Sequence, residues 1–271
     1  MKVDYHLHTH YSYGENDFEE YIKEAIELNF AEIGFSDHYT LLPTRKEESY
    51  SLKNKDIEKY IRELTGLQKK YQDRINIKIG IEIDYFPQNF RRVLTFLNRY
   101  PFDYYIVGIH YVEDFLFDSP ISEEIWQRFS QEEINEIYKK YFDLVVKAIT
   151  TDGFQILAHP DLIKKYNYKA TIDLSEFYKE IVKALKNTNI TLEINQAGLR
   201  HPVHEIYPEE KLLRLALQND VSLCINSDSH NIKHFVEQPR AATIEYIKKL
   251  NNGKKIRCST FTKKNKKDIF W

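Results

Sequence analysis

The sequence predicts an α/β fold in which seven parallel strands alternate with helices and close into a distorted barrel. Short apolar runs alternate with longer amphipathic segments along the whole chain of 271 residues. Strands that alternate with helices are joined by right-handed crossovers and lie parallel. No Gly/Ser linker, low-complexity stretch or change of composition divides the chain. We therefore expect one domain that spans residues 1–271.

The strand predictions follow the short apolar runs in chain order. The predicted strands are Val3–Leu7, Glu32–Ser36, Ile77–Ile83, Tyr104–Ile109, Gln155–Ala158, Thr191–Ile194 and Ser222–Ile225. This number is one short of the eight strands of a TIM barrel. We therefore expect a TIM-barrel-like (β/α)7 barrel with a distorted wall.

The helix predictions follow segments in which apolar residues recur every three or four positions. These segments are Phe18–Leu28, Lys55–Tyr71, Gln131–Ile149, Leu174–Lys186, Pro208–Gln218 and His234–Lys249. Asp17 and Glu20 have the spacing of a capping box, and Pro208 suits the first turn of a helix. The C-terminal stretch 254–271 either completes the barrel wall or lies outside it.

The composition narrows the class of protein. The 39 basic and 41 acidic residues leave a net charge of −2, whereas a duplex-binding protein usually has a basic excess. No apolar run approaches membrane-spanning length, and the strand pattern begins at Val3, which leaves no room for a signal peptide. Cys224 and Cys258 form no CxxC pair. We expect a cytoplasmic protein with no nucleic-acid or membrane partner; the oligomeric state is not predicted.

Histidines and carboxylates recur where the predicted strands end. They are His6, His8, His38, Glu82, His110, His159, Asp228 and His230. The carboxyl ends of parallel barrel strands converge on one mouth, where such proteins carry their active sites. Imidazole and carboxylate are ligands of zinc, manganese and iron. The sequence therefore predicts a site for two or three divalent metal ions at the C-terminal mouth.

Each of these residues also has an ordinary structural interpretation, because a lone histidine is more often a hydrogen-bonded core residue than a ligand. Because histidines and carboxylates recur at the ends of most predicted strands, we favour metal ligands over structural residues. Glu82 interrupts an apolar run, where an unpaired charge is costly, so we expect it to bridge two ions. Side chains alternate along a strand, so His6 and His8 point to one side, as do Asp228 and His230 if that segment is extended. Asp37 and Asp161 either orient imidazoles or are turn residues.

The segments HxH, SDH, GIE, GIH, AHPD and SDSH together resemble the polymerase and histidinol phosphatase (PHP) family over nearly the whole chain. This resemblance implies a distorted seven-stranded barrel with a trinuclear metal centre. It assigns one metal to His6, His8, Glu82 and Asp228, a second to Glu82, His110 and His159, and a third to His38, His230 and a residue after the first strand.

The third metal is where the sequence departs from the family pattern. Relatives carry a His or Asp five or six residues after the second histidine, but Tyr13 and Gly14 occupy those positions here. Glu15 is the nearest carboxylate and Asp17 the next. Because Asp17 also serves as a helix cap, Glu15 is favoured as the ligand.

The segment 193–208 resembles the histidinol-phosphatase branch. That branch implies a phosphomonoesterase of histidine biosynthesis, which hydrolyses L-histidinol phosphate to L-histidinol and phosphate by a metal-bridging hydroxide. Arg200 would clamp a phosphate oxygen, and Asp228 or a histidine such as His201 would supply the proton to the leaving group. His201 and His204 are either substrate contacts or solvated loop residues. The expected contacts to the imidazole and ammonium of the substrate are Asp161, Asp118 and Asn195.

Three other functions stay open from the sequence. A PHP-type nucleotide phosphoesterase or nuclease would need a basic groove lined by aromatic residues at the mouth. A barrel that binds metal without turnover would have lost some ligands, and here nearly all are present. An amidohydrolase shares the ligand types, but Glu82 stands where a carboxylated lysine would be expected.

Overall fold

The barrel wall consists of seven parallel strands. The structure, a computed structural model, describes residues 1–270. The strands are β1 (Val3–Leu7), β2 (Glu32–Phe35), β3 (Asn76–Asp84), β4 (Tyr104–Gly108), β5 (Ile156–Leu157), β6 (Thr191–Asn195) and β7 (Leu223–Asn226). They neighbour one another in chain order. All seven predicted strands are confirmed within two residues of their bounds.

The seam between β7 and β1 closes the barrel largely through side chains. Tyr5 N donates to Asn226 Oδ1 at 2.9 Å, and Ser227 N donates to Asp4 Oδ2 at 3.1 Å. Beyond β7, His8 N donates to Ser229 O at 2.9 Å. Polar side chains thus replace part of the backbone ladder, and the predicted distorted seven-stranded barrel is confirmed.

Nine helices lie among the described residues. They are α1 (Phe18–Glu27), α2 (Ile57–Tyr71), α3 (Phe90–Leu97), α4 (Ser122–Trp126), α5 (Gln131–Ile149), α6 (Ser175–Asn187), α7 (Glu210–Gln218), α8 (Ile232–Val236) and α9 (Arg240–Leu250). The large core lies where these helices pack against the barrel. No helix within residues 1–270 is long and apolar enough to cross a membrane.

Three helix predictions need correction or completion. Asp17 caps α1 with Glu20 as predicted, but Pro208 precedes the N-cap of α7, which is Glu209. The single helix predicted over 234–249 is two helices, α8 and α9, because Pro239 cannot continue a helix and instead precedes α9. The short helices α3 and α4 were not predicted.

The N-terminal end of the barrel is filled by a small apolar cluster. Tyr104 occupies its centre and donates to Tyr5 O at 2.7 Å. A Cβ atom at Gly34 or Gly80 would lie 2.2 Å from the Tyr104 side chain, so glycine at both positions leaves room for the ring. Phe261 completes the cluster, with its ring centroid 5.1 Å from that of Tyr5.

Phe261 belongs to a C-terminal hairpin of β8 (Arg257–Thr262) and β9 (Asn265–Phe270). Strand β8 pairs with β7 at a single position, Leu223 with Cys258. The C-terminal stretch therefore lies outside the seven-stranded wall but contributes a side chain to the barrel interior.

Loops after the strands build the mouth. His38–Tyr39 forms a short strand that pairs with β3, which sets His38 beside Glu82. The 3-10 turns Leu162–Lys164 and Ala197–Arg200 follow β5 and β6, and a small hairpin of Tyr111–Val112 and Phe115–Leu116 follows β4. The strand order thus brings the predicted ligands to one end of the barrel.

Candidate metal centre

Glu82 stands at the centre of a cluster of five histidines and is fully buried. Its Oε2 lies 3.1 Å from His6 Nε2, 3.5 Å from His8 Nε2 and 3.0 Å from His38 Nδ1. Its Oε1 lies 3.1 Å from His159 Nε2 and 3.7 Å from His110 Nε2. One carboxylate oxygen thus faces each of the two ligand groups, as a carboxylate that bridges two ions requires.

Asp228 completes the group around His6 and His8. Its Oδ1 lies 3.3 Å from His8 Nε2 and 3.7 Å from His6 Nε2. The segment after β7 is not extended, because Asp228 has φ +51°, so strand alternation does not apply to Asp228 and His230. Asp tolerates this left-handed conformation better than most residues. The turn still leaves Asp228 and His230 in the same cluster.

The donor set fits divalent metal ions. Several buried nitrogen and oxygen atoms have no hydrogen-bond partner despite their proximity: His6 Nε2, both ring nitrogens of His8, His38 Nδ1, Glu82 Oε2, His159 Nδ1 and His230 Nε2. Unpaired buried polar atoms are costly. Ligand atoms lie within 4.8 Å of one another in groups that include His6–His8–Glu82, His6–His159–Asp228 and Glu82–His110–His159. Atoms that converge without bonding to each other are arranged for a cation between them.

A further donor group consists of imidazoles alone. His8, His38 and His230 bring ring nitrogens within 4.8 Å of one another, and the His8 ring stacks on both neighbours. Glu15 lines the adjoining cavity, but none of the donor groups within residues 1–270 includes it. Asp17 caps α1 and lies 2.7 Å from His10 Nδ1, with a mostly exposed side chain. Glu15 as a third-metal ligand stays a prediction, and the position of Asp17 favours the capping role.

The cavity at the mouth adjoins these ligands and contains candidate substrate contacts. Arg200 lines it, and Arg200 Nη2 donates to Ser227 O and Asp228 O at 2.9 Å each. His201 also lines it, with Nδ1 3.0 Å from Tyr207 Oη. The structure therefore brings Arg200 and His201, from the loop after β6, to the same cavity as the ligands.

The PHP domain family model matches residues 4–197, which is more than half of the chain. The chain belongs to the PHP family. The matched segment contains every predicted ligand up to His159, and Asp228 and His230 follow it.

The chain is also similar to curated proteins over most of their length, and it shares the fold of a solved structure. The chain is 27% identical to a probable histidinol-phosphatase from Deinococcus radiodurans over 84% of this chain and 85% of that protein. It is 26% identical to histidinol-phosphatase from Bacillus subtilis over 85% of this chain and 94% of that protein. Histidinol phosphate phosphatase from Lactococcus lactis, crystallised with zinc, L-histidinol and phosphate, matches with a TM-score of 0.79 at 23% identity over 98% of each chain, a likeness that shows the fold.

Two buried carboxylates that the sequence analysis missed position the histidines of the PHP centre. Glu193 Oε1 lies 2.7 Å from His6 Nδ1, and its Oε2 accepts from His159 N at 2.8 Å. Asp84 hydrogen-bonds His110 Nδ1. Carboxylates that hold the second ring nitrogen fix the orientation of a metal-binding imidazole. Both could have been predicted from the same observation as Glu82, because each is a charged residue within an apolar strand.

Asp37 and Asp161 do not contact the ligand imidazoles. Asp37 accepts from Thr9 N at 2.7 Å and from Ser12 Oγ at 2.7 Å, and so holds the loop after β1. Asp161 accepts from Glu209 N at 2.8 Å and pairs with Lys164 at 2.9 Å. Asp161 is outside the set of residues that line the mouth cavity. Its position therefore favours a structural role over the predicted substrate contact.

Asn195 likewise uses its side-chain amide for hydrogen bonds within the protein. Its Nδ2 donates to Asp228 Oδ2 at 3.1 Å and Glu193 Oε2 at 2.9 Å, while its Oδ1 accepts from Ala197 N at 2.8 Å. It is fully buried and does not line the mouth cavity. The amide has no free donor for a substrate, so we assign it to holding Asp228 in place.

The charges of the cluster favour ionised carboxylates. Burial raises the pKa of Glu82, but the neighbouring His6 and His38 outweigh burial and hold this pKa well below its usual range. Burial also raises the pKa of Asp228, but the neighbouring His6 and His8 hold it well below its usual range. Burial lowers the pKa of His6, but Glu193 and Glu82 outweigh burial and raise this pKa well above its usual value. Metal binding requires the neutral imidazole, so a bound cation would displace the proton of His6.

Proposed function

We propose that this protein is a metal-dependent phosphomonoesterase that hydrolyses L-histidinol phosphate to L-histidinol and phosphate. The observation that carries the proposal is the cluster of unpaired histidine and carboxylate atoms that adjoins a cavity containing Arg200. The relatives named histidinol-phosphatase, which align over most of their length, support this substrate.

Two ligand sets would hold the metals: His6, His8, Glu82 and Asp228, and Glu82, His110 and His159. When bound, divalent metals lower the pKa of a water molecule and neutralise charge on the phosphate. Glu193 and Asn195 keep His6 and Asp228 in position for this chemistry. Because all these groups are buried, their arrangement is set before substrate enters.

Arg200 would bind the phosphate. A guanidinium has five N–H donors, of which the two on Nη2 are used by the Ser227 and Asp228 carbonyls. These bonds fix the plane of the guanidinium at the cavity. The remaining donors on Nε and Nη1 are available for phosphate oxygens, and charge-assisted bonds of this kind are strong.

His201 would donate a hydrogen bond from a neutral ring. Burial and, to a smaller extent, the nearby Lys165 lower the pKa of His201 to about 3. Burial also raises the pKa of Tyr207 well above its usual value, so this phenol donates to His201 Nδ1. The proton of the neutral imidazole is then on Nε2, where it can donate to the phosphate or to the ester oxygen.

The test is phosphate release from L-histidinol phosphate by protein reconstituted with zinc or manganese, with nucleotides and a phosphodiester alongside. We expect a strong preference for L-histidinol phosphate and loss of activity in His8→Ala. Arg200→Ala should lower kcat/KM by roughly 10- to 100-fold, the value of a charged hydrogen bond.

His204→Asn is the matched control, because His204 is exposed in the same loop and asparagine tolerates its positive φ. It should retain wild-type activity. Faster cleavage of nucleotides or the diester would keep the metal centre but contradict the substrate. No metal-dependent release from any compound would contradict the enzyme assignment.

We further propose that the protein acts in a reducing compartment such as the cytoplasm. Both cysteines, Cys224 and Cys258, are free thiols and buried. Mass spectrometry of protein from its native cells should find both thiols reduced, and a disulfide at either cysteine would contradict the proposal.

A further inference from the structure

The mouth cavity divides into two lobes that share one wall. A polar lobe includes Arg200, His201, Asn231 and His234. An apolar lobe includes Tyr50, Leu116 and Pro120. Tyr13, His38, His110, Asp118 and Lys165 line both lobes. A substrate with a phosphate at one end and an organic group at the other can therefore place one end in each lobe.

Asp118 presents an incompletely paired carboxylate at the junction of the lobes. Within residues 1–270, its closest cation is Lys165 Nζ, which lies 3.5 Å from Asp118 Oδ2. Lys165 instead donates its 2.6 Å hydrogen bond to the backbone carbonyl of Asp118. The carboxylate side chain is only 16% exposed. A largely buried carboxylate without a strong hydrogen bond is a good acceptor for an ammonium group.

The backbone around Asp118 is held in place. Tyr166 Oη donates to Asp118 O at 3.1 Å and to Ser119 O at 2.7 Å, in addition to the bond from Lys165. These contacts tie the loop after β4 to the turn after β5. The position of the carboxylate is therefore fixed before a ligand binds, which reduces the entropy lost on binding.

The apolar lobe suits a small aromatic ring. Tyr50 and Tyr13 meet edge to face with centroids 6.3 Å apart. Tyr50 Oη is already hydrogen-bonded to Tyr111 Oη at 3.0 Å, so Tyr50 can offer its ring without leaving the phenol unpaired. Aromatic pairs prefer such offset or edge-to-face contacts.

The other acidic residues at the mouth are less suited to an amine. Asp228 faces His6 and His8 and accepts from Asn195. Glu15 lines only the polar lobe, where Asn231 Nδ2 lies 3.5 Å from its Oε1. Asp118 alone among these three carboxylates lines both lobes.

We propose that Asp118 binds the ammonium group of the substrate while the apolar lobe receives its imidazole, which makes Asp118 a determinant of specificity for amine-bearing phosphomonoesters. This inference rests on the proposed function. It places the phosphate of the substrate at the metal ligands and Arg200, the ammonium at Asp118 and the imidazole in the apolar lobe.

The test compares L-histidinol phosphate with imidazolylpropyl phosphate, which has the same ring and ester but lacks the amine. The measured quantity is the ratio of the two kcat/KM values in wild type, Asp118→Asn, Glu15→Gln and Asp114→Asn. We expect Asp118→Asn to lower the ratio by roughly 10- to 100-fold, as expected for loss of one charged hydrogen bond. Asp114 is exposed in the same loop, so Asp114→Asn should keep the wild-type ratio.

Each outcome separates the inference from the function on which it rests. A wild-type ratio in Asp118→Asn, with both esters hydrolysed, would overturn the inference and leave the phosphatase assignment in place. A lowered ratio in Glu15→Gln alone would also overturn it, by moving the amine to the polar lobe. A wild-type protein that hydrolyses neither ester would overturn the proposed function and the inference together. Metal analysis of each variant ensures that occupancy is equal.

Discussion

At the scale of single residues, Glu193 connects three parts of the metal centre although it is not one of the predicted ligands. It contacts His6 Nδ1 and His159 N, and it accepts from Asn226 Nδ2 at 2.8 Å. One side chain thus links a ligand on β1, the end of β5 and the seam at β7. Removing its charge should disturb the ligands without removing any of them.

We expect Glu193→Gln to weaken metal binding by about 10- to 100-fold, the usual effect of losing a carboxylate that orients a ligand histidine. The amide can hydrogen-bond His6 but no longer favours the ring orientation through charge. Competition with a chelating dye measures this affinity. Glu132→Gln, on the exposed face of α5, should have no effect. Unchanged affinity in Glu193→Gln would show that packing alone orients His6.

His201 gives a prediction about pH. Its folded-state pKa is lowered to about 3, mainly by burial, whereas the unfolded chain titrates near about 6.5. Between these two pH values, the unfolded chain therefore binds a proton at His201 that the folded protein does not bind. The contribution of neutral His201 to the free energy of unfolding is present above about pH 6.5 and is lost as the pH falls toward 3.

Urea unfolding of the metal-free protein at about pH 7 and about pH 5 measures this loss. His201→Gln, which cannot titrate, should lose less free energy of unfolding between the two pH values than wild type. Equal losses in the two proteins would contradict the buried neutral histidine. His204→Asn again serves as control, because His204 is exposed.

At the scale of elements, the C-terminal hairpin covers one end of the barrel and packs one phenylalanine into its interior. Phe261 of β8 packs against Tyr5 and Tyr104, whereas Phe270 of β9 is 62% exposed. The same hairpin therefore contains a buried and an exposed phenylalanine.

Phe261→Ala should destabilise the protein by about 3–5 kcal/mol, because it leaves a cavity in the barrel interior. Phe270→Ala, the matched control, should change the free energy of unfolding by less than about 0.5 kcal/mol. Denaturant unfolding of both variants measures the difference. Similar values for the two would show that the hairpin contributes little to the core.

Local signals decided how well each element could be predicted. α5 is confirmed to the residue because Ser130 and Glu133 form a capping box before a regular apolar stripe. The stretch 234–249 keeps helical periodicity on both sides of a break, so periodicity alone misses the effect of Pro239. The short helices α3 and α4 contain too few turns for a periodic pattern to stand out.

At the scale of the whole molecule, the metal centre joins the barrel strands. The predicted ligands come from β1, β3 and the segments after β1, β2, β4, β5 and β7. Metal ions bound there would cross-link the wall, including the weak seam between β7 and β1.

We expect removal of metal by a chelator to lower Tm and re-addition of zinc or manganese to restore it. Metal at about 1,000 times its Kd should add about 4 kcal/mol, since it binds the folded chain. Differential scanning calorimetry measures the shift, and His8→Ala should show a much smaller one. The prediction of one domain is tested in the same scan, where a single transition is expected. An unchanged Tm would contradict a metal centre that links the strands.

The sequence by itself determined the order of strands and helices, the family and the histidines and carboxylates that meet at the barrel mouth. Apolar runs, capping residues and the HxH, SDH, GIE and SDSH segments are local patterns, so they can be recognised without knowing which strands meet. The spacing of histidines at strand ends predicted the metal centre for the same reason, because parallel strands in a barrel bring their ends together.

Only the tertiary structure decided the partners of those residues. The roles of Glu193 and Asn195, the anchoring of Arg200 on the carbonyls after β7, and the two-lobed cavity depend on contacts between segments far apart in the chain. Asp161 illustrates the limit: two residues from a ligand in sequence, it bonds Lys164 and Glu209 instead of the centre. Local pattern fixes where a side chain leaves the backbone, but packing between distant segments fixes what it meets.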